Sequence, residues 1–381
     1  MIITLKDGSV REYTEPKSIY EIALDISEGL ARAACAGELN GEVVDLRTVV
    51  DCDAAVNILT AKDEAGLRVL RHTASHVLAE AVQTLYPDAK VTIGPAIDNG
   101  FYYDFECPPF DRAALDEIEK VMKKIIKKGA RIQKETRSRE DAIRIFEEKG
   151  EPYKVELIRD LPEDSEISFY SQGDWFDLCA GPHLMNTKGV KAFKLISSSG
   201  AYWRGNEKNT MLTRVYGTAF GSKEELEADL ERREDAKKRD HNKLGREMKI
   251  FTTVDVIGQG LPLLMPNGVI MIQELQRWIE DLEEERGYVR TKTPLMAKSD
   301  LYKISGHWDH YKDGMFVLGD EDKDKEVFAL RPMTCPFQYY VYKSEQHSYR
   351  DLPIRYGETS TLFRNEDSGE MHGLTRVRQF T

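Results

Sequence analysis

The sequence is poor in cysteine and has no long uninterrupted run of apolar residues. Its five cysteines are scattered and odd in number, which argues against a disulfide framework and favours reduced thiols. The most apolar stretch, residues 256–272, is interrupted by glutamine, proline and asparagine, so it falls short of the roughly 20 apolar residues that a membrane-spanning helix needs. The first residues lack the pattern of a secretory signal, and the expected location is the cytoplasm.

The sequence also lacks an excess of basic residues. It carries 54 lysines and arginines against 66 aspartates and glutamates, a formal net charge of −12. Such an acidic surface repels nucleic acid over a Debye length, which excludes indiscriminate phosphate binding but not a local basic face. With 41% apolar and 31% charged residues, the 381 residues are typical of a folded globular protein with two or three domains.

Residues 1–62 are expected to form a small α+β domain. Apolar and polar residues alternate on both sides of Asp7-Gly8, which predicts a β-hairpin. Ser18 and Glu21 form a capping box before a helix-spaced apolar series, and Asn40-Gly41 marks a second hairpin turn. Strand, helix and strand in so few residues predict a β-grasp-like module.

Residues 63–221 mix helical and strand patterns and are expected to form a second α+β domain. Leu115, Ile118, Met122 and Ile125 predict an amphipathic helix whose other face carries the four lysines between positions 123 and 128. This basic face could contact a phosphate backbone. The solvated interpretation is favoured, because charged runs on helices are usually solvated.

Residues 222–247 are dominated by charges of both signs, and they predict a linker helix without a core of its own. Residues 248–381 are expected to form a third domain. Its first helix is predicted by a helix-spaced series of apolar residues that runs from Ile272 to Leu282 and ends at Gly287, a typical residue just after a helix. A strand-like segment, YVRTKTP, follows.

Two pairs of side chains in the second domain have the spacing of a metal or hydrolytic site. His72 and His76 are four residues apart on a predicted helix, Cys179 and His183 have the same spacing later in the chain, and Asp177 lies close by. Three imidazoles and a thiol are a ligand set for tetrahedral Zn²⁺. Neutral imidazoles can equally position water or relay protons without a metal, and each pair can also be an ordinary packed feature. The residues alone leave these alternatives open.

A second group of functional side chains lies near residue 381. Arg364, Glu366, Arg376 and Phe380 fall on two predicted neighbouring strands and the loop between them. Arginine forks match phosphate and carboxylate groups, a carboxylate can accept from an exocyclic amine, and phenylalanine can stack on a base. This group therefore predicts an anionic, planar ligand, with a salt-bridged hairpin as the alternative.

Several segments resemble the threonyl-tRNA synthetase family of class II aminoacyl-tRNA synthetases. FRNEDSGEMHGLTRVRQF resembles motif 2 of this class, and ERGYVRTKTP resembles motif 1. Further matching segments, in chain order, are HTASHVLAEAV, GFYYDF, DLCAGPHL, GAYWRGNEKNTMLTRVYGTAF, GHWDHYKDGMF and RPMTCP. The resemblance implies a ubiquitin-like β-grasp domain over 1–62, an α+β editing domain over 63–221, a linker helix over 222–247 and part of an antiparallel-sheet catalytic domain over 248–381.

The resemblance implies an editing pocket that hydrolyses seryl-tRNA. By position, His72, His76, Cys179 and His183 belong to this pocket, together with Asp177, Lys154 and Tyr103. Tyr103 and His307 are also implied near the tRNA 3′ end. In this family the pocket works without bound metal, although a related alanine-specific family places zinc on the same pattern, so the resemblance favours hydrolysis over a zinc site.

The resemblance implies a second centre that activates threonine with Mg²⁺-ATP and holds one Zn²⁺. Arg364 corresponds to the residue that grips the α-phosphate and the amino-acid carboxylate, Glu366 and Phe380 to adenine contacts, and Arg376 to the outer-phosphate contact. Cys335 corresponds to the first zinc ligand, and its partners are expected beyond residue 381. Many relatives have Gly-His after Cys-Pro where this chain has Phe337-Gln338, a change expected to alter local packing only.

The implied function is threonine–tRNA ligation with hydrolysis of mischarged seryl-tRNA, and the implied partners are tRNA(Thr), threonine, ATP and a second copy through motif 1. Because motif 3, two zinc ligands and the anticodon-binding domain of the family follow motif 2, these 381 residues are expected to retain only the editing chemistry. Two alternatives are a freestanding deacylase that edits in trans and a non-catalytic RNA-binding regulator. Ester hydrolysis distinguishes the RNA-binding regulator, which would not catalyse it, from the deacylase and the synthetase.

Overall fold

The computed structural model describes residues 1–367 and 369–381. The chain divides into two compact units, Met1–Arg232 and Arg233–Thr381. All five cysteines are free thiols, as the sequence predicts. Among the described residues, none of the helices is both long enough and apolar enough to cross a bilayer.

The first unit begins with a five-stranded sheet that carries two short helices. The elements are β1 (Ile2–Leu5), β2 (Val10–Glu12), β3 (Lys17–Ser18), α1 (Ile19–Ile26), α2 (Glu28–Ala33), β4 (Ala34–Leu39), β5 (Glu42–Val44), β6 (Val49–Val50) and β7 (Ala54–Thr60). The strand order is β2-β1-β7-β4-β5, with β1 and β7 parallel and the other pairs antiparallel. Ile3, Ile19, Ile22 and Val56 belong to the core beneath it. The predicted grasp-like α+β fold is confirmed.

The local signals of this region are also confirmed. Asp7-Gly8 lies in the turn between β1 and β2, and Gly8 has a φ of 82°. The Ser18 side chain accepts from the Glu21 amide while the Glu21 carboxylate accepts from the Ser18 amide, so α1 begins with a complete capping box. Asn40 and Gly41, at φ 52° and 92°, make the turn between β4 and β5.

The rest of the first unit combines a long helix with two further sheets. Its elements are α3 (Glu64–Leu85), β8 (Lys90–Val91), β9 (Ala96–Ile97), β10 (Gly100–Glu106), α4 (Arg112–Lys128), β11 (Ile132–Arg137), α5 (Arg139–Lys149), α6 (Pro152–Asp160), β12 (Ile167–Gln172), β13 (Trp175–Leu178), β14 (Ala192–Tyr202) and β15 (Met211–Phe220). One sheet has the order β14-β15-β10-β8, with β9 also paired to β10, and the other has the order β11-β12-β13. All pairs in these two sheets are antiparallel.

Helix α3 is buried on most of its surface. Ala74, Val77 and Leu78 are fully inaccessible and share one core with Phe101 and Phe105 of β10. A helix held so firmly in the core has little freedom to move. It therefore gives rigid positions to the two histidines that it carries.

The predicted amphipathic helix is α4. Its apolar residues Leu115, Ile118, Met122 and Ile125 are buried, and a left-handed Gly129 follows its last turn. The four lysines between positions 123 and 128 are exposed. A solvated basic face agrees with this arrangement, and so does contact with phosphate.

The linker region differs in detail from the prediction. Instead of one helix, it contains α7 (Lys223–Lys238) and α8 (His241–Glu247). The break falls at Asp240, whose carboxylate accepts from the Lys243 amide and caps α8. An aspartate in this position starts a new helix because its side chain satisfies a free amide of the first turn.

The second unit consists of short strands and helices. After α8 come β16 (Phe251–Thr252), β17 (Leu263–Leu264), α9 (Pro266–Glu285), β18 (Val289–Arg290), β19 (Met296–Lys298), α10 (Ser299–Ile304), α11 (His307–Tyr311), β20 (Val317–Leu318), β21 (Phe328–Leu330), α12 (Cys335–Lys343), β22 (Tyr356–Gly357), β23 (Leu362–Phe363) and β24 (Gln379–Phe380). Strand β18 pairs in parallel with β22, while β19-β21-β20 and β23-β24 are antiparallel. Helix α9 ends before Gly287 at φ 77°, as predicted.

Candidate active sites

The four histidine and cysteine side chains that the sequence singled out lie together. Helix α3 places His72 and His76 one turn apart, and the segment after β13 carries Cys179 and His183. One potential ligand atom from each residue lies within 4.8 Å of the other three. The sequence thus identified the members of this cluster, which is made by two segments far apart in the chain.

Cys179 lies at the centre of the cluster. Its Sγ atom is 3.3 Å from Nε2 of His72 and 3.2 Å from Nε2 of His183, and it accepts from the Gly181 amide at 3.2 Å. The imidazole ring of His183 is 4.3 Å from that of His72 and 4.2 Å from that of His76, between ring centroids. The three rings and the thiol form one compact group.

Thr73 fixes the orientation of His183, a role that the sequence analysis missed. Its hydroxyl donates to the Val69 carbonyl at 3.0 Å, accepts from the Leu184 amide at 3.0 Å and lies 3.2 Å from Nδ1 of His183. Because the hydroxyl has only one proton, Nδ1 of His183 is the donor in the last pair. Its Nε2 is then unprotonated and faces the thiol. In the sequence, Thr73 is a threonine next to His72 on a predicted helix. Threonine also occurs in ordinary helices, so this position did not stand out.

A buried ion pair lies behind the cluster. Asp177 and Lys154 are 1% and 2% exposed, and Nζ of Lys154 is 2.6 Å from Oδ1 of Asp177. Tyr103 donates to Oδ2 at 2.5 Å and accepts from Lys154 at 3.1 Å, and Nε2 of His76 is 4.0 Å from Oδ2. Burial alone would raise the pKa of Asp177, but Lys154, His76 and Tyr103 hold this pKa below its usual value. The carboxylate is therefore charged.

Tyr103 was predicted both beside this pocket and near the tRNA 3′ end. Its side chain is fully buried on β10, with its hydroxyl against Asp177. Burial, followed by the charge of Asp177, raises its pKa well above the usual value. Tyr103 therefore remains a neutral donor that supports the carboxylate, and its place at the tRNA end stays a prediction.

The imidazoles of the cluster are uncharged near neutral pH. Burial lowers the pKa of His72 to about 4 and that of His76 to about 3, and it lowers the pKa of His183 well below its usual value. Burial also raises the pKa of the Cys179 thiol to about 12, although the Gly181 amide partly offsets this effect. The cluster thus contains neutral proton acceptors and an unionised thiol.

A cavity opens onto one edge of the cluster. It has a volume of about 370 Å³, and its lining includes His72, Val69, Pro182, Val43 of β5 and the exposed Arg68. His72 is thus the cluster member in contact with this space. Arg68 was not identified from the sequence, where a single arginine on a helix carries no distinguishing pattern.

Three of the four residues of the second predicted group line one cavity, whereas the fourth, Phe380, is not among its lining residues. His307, Arg364, Glu366 and Arg376 surround a space of about 480 Å³ in the second unit. The guanidinium of Arg364 lies 5.0 Å from the ring centroid of Phe380, and β23 and β24 bring these two residues together. His307, predicted near the tRNA 3′ end, lies at the same cavity as the predicted nucleotide contacts.

Arg376 of this cavity is paired with two carboxylates. Arg376 is 2.7 Å from Glu366 and 2.5 Å from Glu370, and Glu366 also accepts from Arg378 through its carbonyl at 3.1 Å. The pairing with Glu366 and Glu370 raises the pKa of Arg376. Any ligand that contacts both Arg376 and Glu366 must therefore replace the hydrogen bonds between them.

Cys335 is the first residue of α12 and is exposed. It belongs to neither of the two groups of three or more potential metal ligands that occur among the described residues. Structural and catalytic zinc sites have three or four protein ligands. Cys335 by itself therefore does not make a zinc site.

Sequence families match three parts of the chain. The TGS domain matches residues 1–60, the threonyl and alanyl tRNA synthetase second additional domain matches residues 167–216, and the tRNA synthetase class II core domain (G, H, P, S and T) matches residues 316–381. A threonine–tRNA ligase from Clostridium perfringens is 66% identical over 380 residues, which cover all of this chain and 59% of the relative. The chain belongs to the threonyl-tRNA synthetase family.

The comparisons also give a second relative and one solved structure. A threonine–tRNA ligase from Acetivibrio thermocellus is 54% identical over 380 residues, with the same coverage of both chains. The chain thus spans about 59% of the length of the curated relatives that it matches. A solved RNA-binding domain of a threonyl-tRNA synthetase from Cryptosporidium parvum aligns with 37% of this chain and 35% of its own, at 36% identity and a TM-score of 0.35.

Proposed function

We propose that the protein activates threonine with Mg²⁺-ATP, transfers it to tRNA(Thr), and hydrolyses mischarged seryl-tRNA in residues 63–221. Membership of the threonyl-tRNA synthetase family supports the first two steps, together with the cavity that Arg364, Glu366 and Arg376 line. The cluster of His72 and its three neighbours supports the third step. That cluster is the observation on which the editing proposal rests.

Substrate size explains why two sites are needed. Serine differs from threonine by one methyl group, and a missing methylene in a pocket is worth only roughly 1–3 kcal/mol, or about 10- to 200-fold in selectivity. One binding step therefore admits serine at an appreciable rate. A second pocket that cleaves the wrong ester removes the product afterwards.

In the proposed hydrolysis, water attacks the carbonyl carbon of the seryl ester. The water oxygen forms a bond to this carbon, the bond between carbon and ribose oxygen breaks, and the ribose oxygen leaves with a proton. His72 lines the cavity, and its pKa of about 4 keeps it neutral, so it can accept a hydrogen bond from the water and then its proton. The neutral thiol of Cys179 holds His72 and His183 in place and is too weakly acidic to be the nucleophile.

Asp177 contributes a fixed negative charge to this site. At 4.0 Å from His76, it stabilises positive charge that develops on the imidazole cluster when a proton arrives. Lys154 and Tyr103 keep the carboxylate ionised and in position. We assign these three residues to support of the reaction.

Two cofactors are part of the proposal for the complete protein. Arg364 and Arg376 would bind the phosphates of Mg²⁺-ATP, with Glu366 and Phe380 at the adenine. A complete zinc site would need two or three ligands besides Cys335. The editing cluster has donors that also suit Zn²⁺, and hydrolysis without metal is proposed because the family resemblance favours it.

The proposed partners are tRNA(Thr) and a second copy of the chain. The face of α9, which precedes the motif 1 segment, exposes large apolar residues, among them Leu275 and Trp278, which are 60% and 63% accessible. Exposed apolar patches of this kind are common at interfaces between proteins. A cytoplasmic location is proposed as well, because the substrates of tRNA charging are there.

Release of serine from seryl-tRNA(Thr) tests the editing proposal. In single-turnover reactions with excess protein, the parent chain should release serine, and the His72→Ala/His76→Ala variant should lose at least about 100-fold in rate, the usual value of a positioned acid–base group. His347→Ala, which lies outside both cavities, is the control. Undiminished release by the double variant would contradict the assignment, and RNA binding without any release would favour the regulator instead.

Threonine activation is tested separately. A polypeptide of these 381 residues should not catalyse threonine-dependent exchange between pyrophosphate and ATP, because the family elements expected to complete this site follow residue 381. A polypeptide of the full length of the relatives, of which this chain covers 59%, should catalyse the exchange. Exchange by the 381 residues alone would overturn this part of the proposal.

A further inference from the structure

Two charged residues of the β-grasp domain contact the editing cluster from outside its cavity. Asp45 and Arg47 lie between β5 and β6, and their side chains are 10% and 19% exposed. Nη1 of Arg47 is 2.8 Å from Oδ1 of Asp45, and the Arg47 amide donates to the same oxygen at 2.8 Å. This arrangement fixes the guanidinium in one orientation.

The guanidinium of Arg47 donates to three backbone carbonyls of the neighbouring domain. It reaches Ile132 at 2.5 Å, His183 at 3.2 Å and Leu184 at 2.9 Å. These residues belong to two segments that are far apart in the sequence, and the Ile132 amide also donates to Met185. One planar donor fork thus ties the chain after His183 to the start of β11.

Asp45 binds the other backbone polar group of His183, its amide. Its Oδ2 accepts from the His183 amide at 3.2 Å and from the hydroxyl of Tyr170 at 3.0 Å. The ring of Tyr170 packs 4.6 Å from the imidazole of His183, between centroids. The amide of His183 is therefore bound by Asp45 and its carbonyl by Arg47.

Neither charged group forms a hydrogen bond with the imidazole itself. Nδ1 of His183 is bound to Thr73, and Nε2 faces Cys179. Asp45 and Arg47 therefore hold His183 through its backbone and, by way of Tyr170, against one face of its ring. Their charges also reach the cluster, where Arg47 helps to lower the pKa of His183 and Asp45 helps to raise that of Cys179. Partly buried charges lose hydration, and this arrangement compensates the loss with charge-assisted hydrogen bonds aimed at one residue of the cluster.

We propose that Asp45 and Arg47 are positioning residues for ester hydrolysis, so that the β-grasp domain sets the geometry of the editing cluster. This inference rests on the proposed editing function. A simple contact between domains would not need hydrogen bonds to both the amide and the carbonyl of one residue, His183. The pair acts on the distance between His183 and Cys179, and through Cys179 on His72 at the cavity.

The test compares Arg47→Lys with the matched variant Arg11→Lys. Lysine keeps the charge but cannot reach three carbonyls at once. Arg11 lies in β2 of the same domain, and its side chain donates a long hydrogen bond to the Asp25 carbonyl, at 3.4 Å. Single-turnover release of serine from seryl-tRNA(Thr) is measured over a range of protein concentrations. Arg47→Lys should lower the maximal rate roughly 10- to 100-fold, as small displacements of catalytic groups do, with the half-saturating concentration unchanged. Arg11→Lys should behave as the parent.

A second variant covers the case in which Arg47→Lys does not fold. Asp45→Asn has the same shape but loses the charge that orients Arg47, and it should also lower the maximal rate alone. The proposal is overturned if the folded variants keep the parent's maximal rate, if only the half-saturating concentration changes, or if neither variant folds, since the pair then serves RNA binding or folding.

The His72→Ala/His76→Ala variant, measured in parallel, separates this inference from the proposed function. If it retains hydrolysis, the editing proposal itself has failed. If it loses hydrolysis while Arg47→Lys and Asp45→Asn do not, only the positioning role has failed.

Discussion

The charged residues behind the cluster are buried, so replacing one of them should have a large effect on stability. Asp177 and Lys154 form an ion pair that is almost inaccessible to water, with Tyr103 as a shared partner. Taking both charges out of water is costly, so the pair gains little stability over an apolar alternative, but removing one partner leaves the other charge uncompensated. In the proposed hydrolysis, the pair supplies a fixed negative charge beside His76.

Asp177→Asn should therefore destabilise the protein strongly. The buried ammonium of Lys154 would lose its counter-charge, a change that costs roughly 3–5 kcal/mol in the free energy of unfolding. Urea denaturation measures this quantity. Asp116→Asn, which breaks an exposed pair with Arg112, should have no measurable effect. Equal stability of the two variants would show that Lys154 has another compensating partner.

The histidines make stability depend on pH. Their pKa values in the folded state, about 4 for His72 and about 3 for His76, lie below the usual 6.5 of the unfolded chain. Between about pH 4 and 6.5 the unfolded state binds more protons, so the free energy of unfolding should fall as the pH is lowered through this range. Above pH 6.5 the two imidazoles are neutral in both the folded and the unfolded state, so they no longer make the free energy of unfolding depend on pH.

Urea denaturation at pH 7 and pH 5.5 tests this prediction. Each buried histidine should contribute a slope approaching roughly 1 kcal/mol per pH unit below pH 6. His76→Gln removes one titrating group, so its stability should depend less on pH than that of the parent. A variant with the parent's full slope would show that His76 is not the source of the effect.

At the scale of elements, the position of α3 determines that of both His72 and His76. The helix begins at Glu64, four residues after the end of β7, and Gly66 makes the close approach between them. A Cβ atom at Gly66 would lie 2.0 Å from the Thr60 carbonyl oxygen. Because the neighbour is backbone, it cannot rotate away as a side chain would.

Gly66→Ala should therefore destabilise the protein, although alanine is normally the better residue in a helix. Relief of the clash requires α3 to shift, at a cost of about 1–3 kcal/mol or more, and serine release should fall as His72 moves. Gly29→Ala in α2 is the control, because its Cβ would meet nothing closer than 3.9 Å. Thermal denaturation and single-turnover release measure the two effects. A Gly66→Ala variant as stable as Gly29→Ala would contradict the expected clash.

At the scale of the whole molecule, the two candidate sites fall in different compact units. Every residue of the editing cluster, and Asp45 and Arg47, belong to Met1–Arg232, whereas the predicted nucleotide contacts belong to Arg233–Thr381. The core of the first unit extends from Cys35 to Ala219 and includes the buried side of α3. Such a core is large enough to fold as an independent domain.

Residues 1–238, which contain the first unit and all of α7, should thus fold cooperatively and release serine from seryl-tRNA(Thr). The maximal rate should stay within a few-fold of that of residues 1–381, because no catalytic group is lost. Circular dichroism on heating and single-turnover release provide the two measurements. A folded fragment without hydrolysis, beside an active parent, would place an essential group in the second unit.

Local patterns in the sequence predicted several boundaries of elements and the histidine and cysteine side chains that lie together in the first unit. Alternation around Asp7-Gly8 predicted the first hairpin, Ser18 and Glu21 predicted the start of α1, and Gly287 predicted the end of α9, since each signal acts on residues within one or two turns. The four-residue spacings of histidine and cysteine marked the cluster. The break at Asp240 was missed, because a capping aspartate in a charged stretch looks like any other charge.

The sequence by itself determined which residues could carry chemistry, whereas the tertiary structure decided their state and their support. The low pKa values of His72 and His76 arise from burial, which depends on the packing of α3 and not on its sequence neighbours. Asp45 and Arg47 meet His183 across more than 130 positions of the chain. No periodic pattern links residues so far apart, because their contact results from how the domains pack.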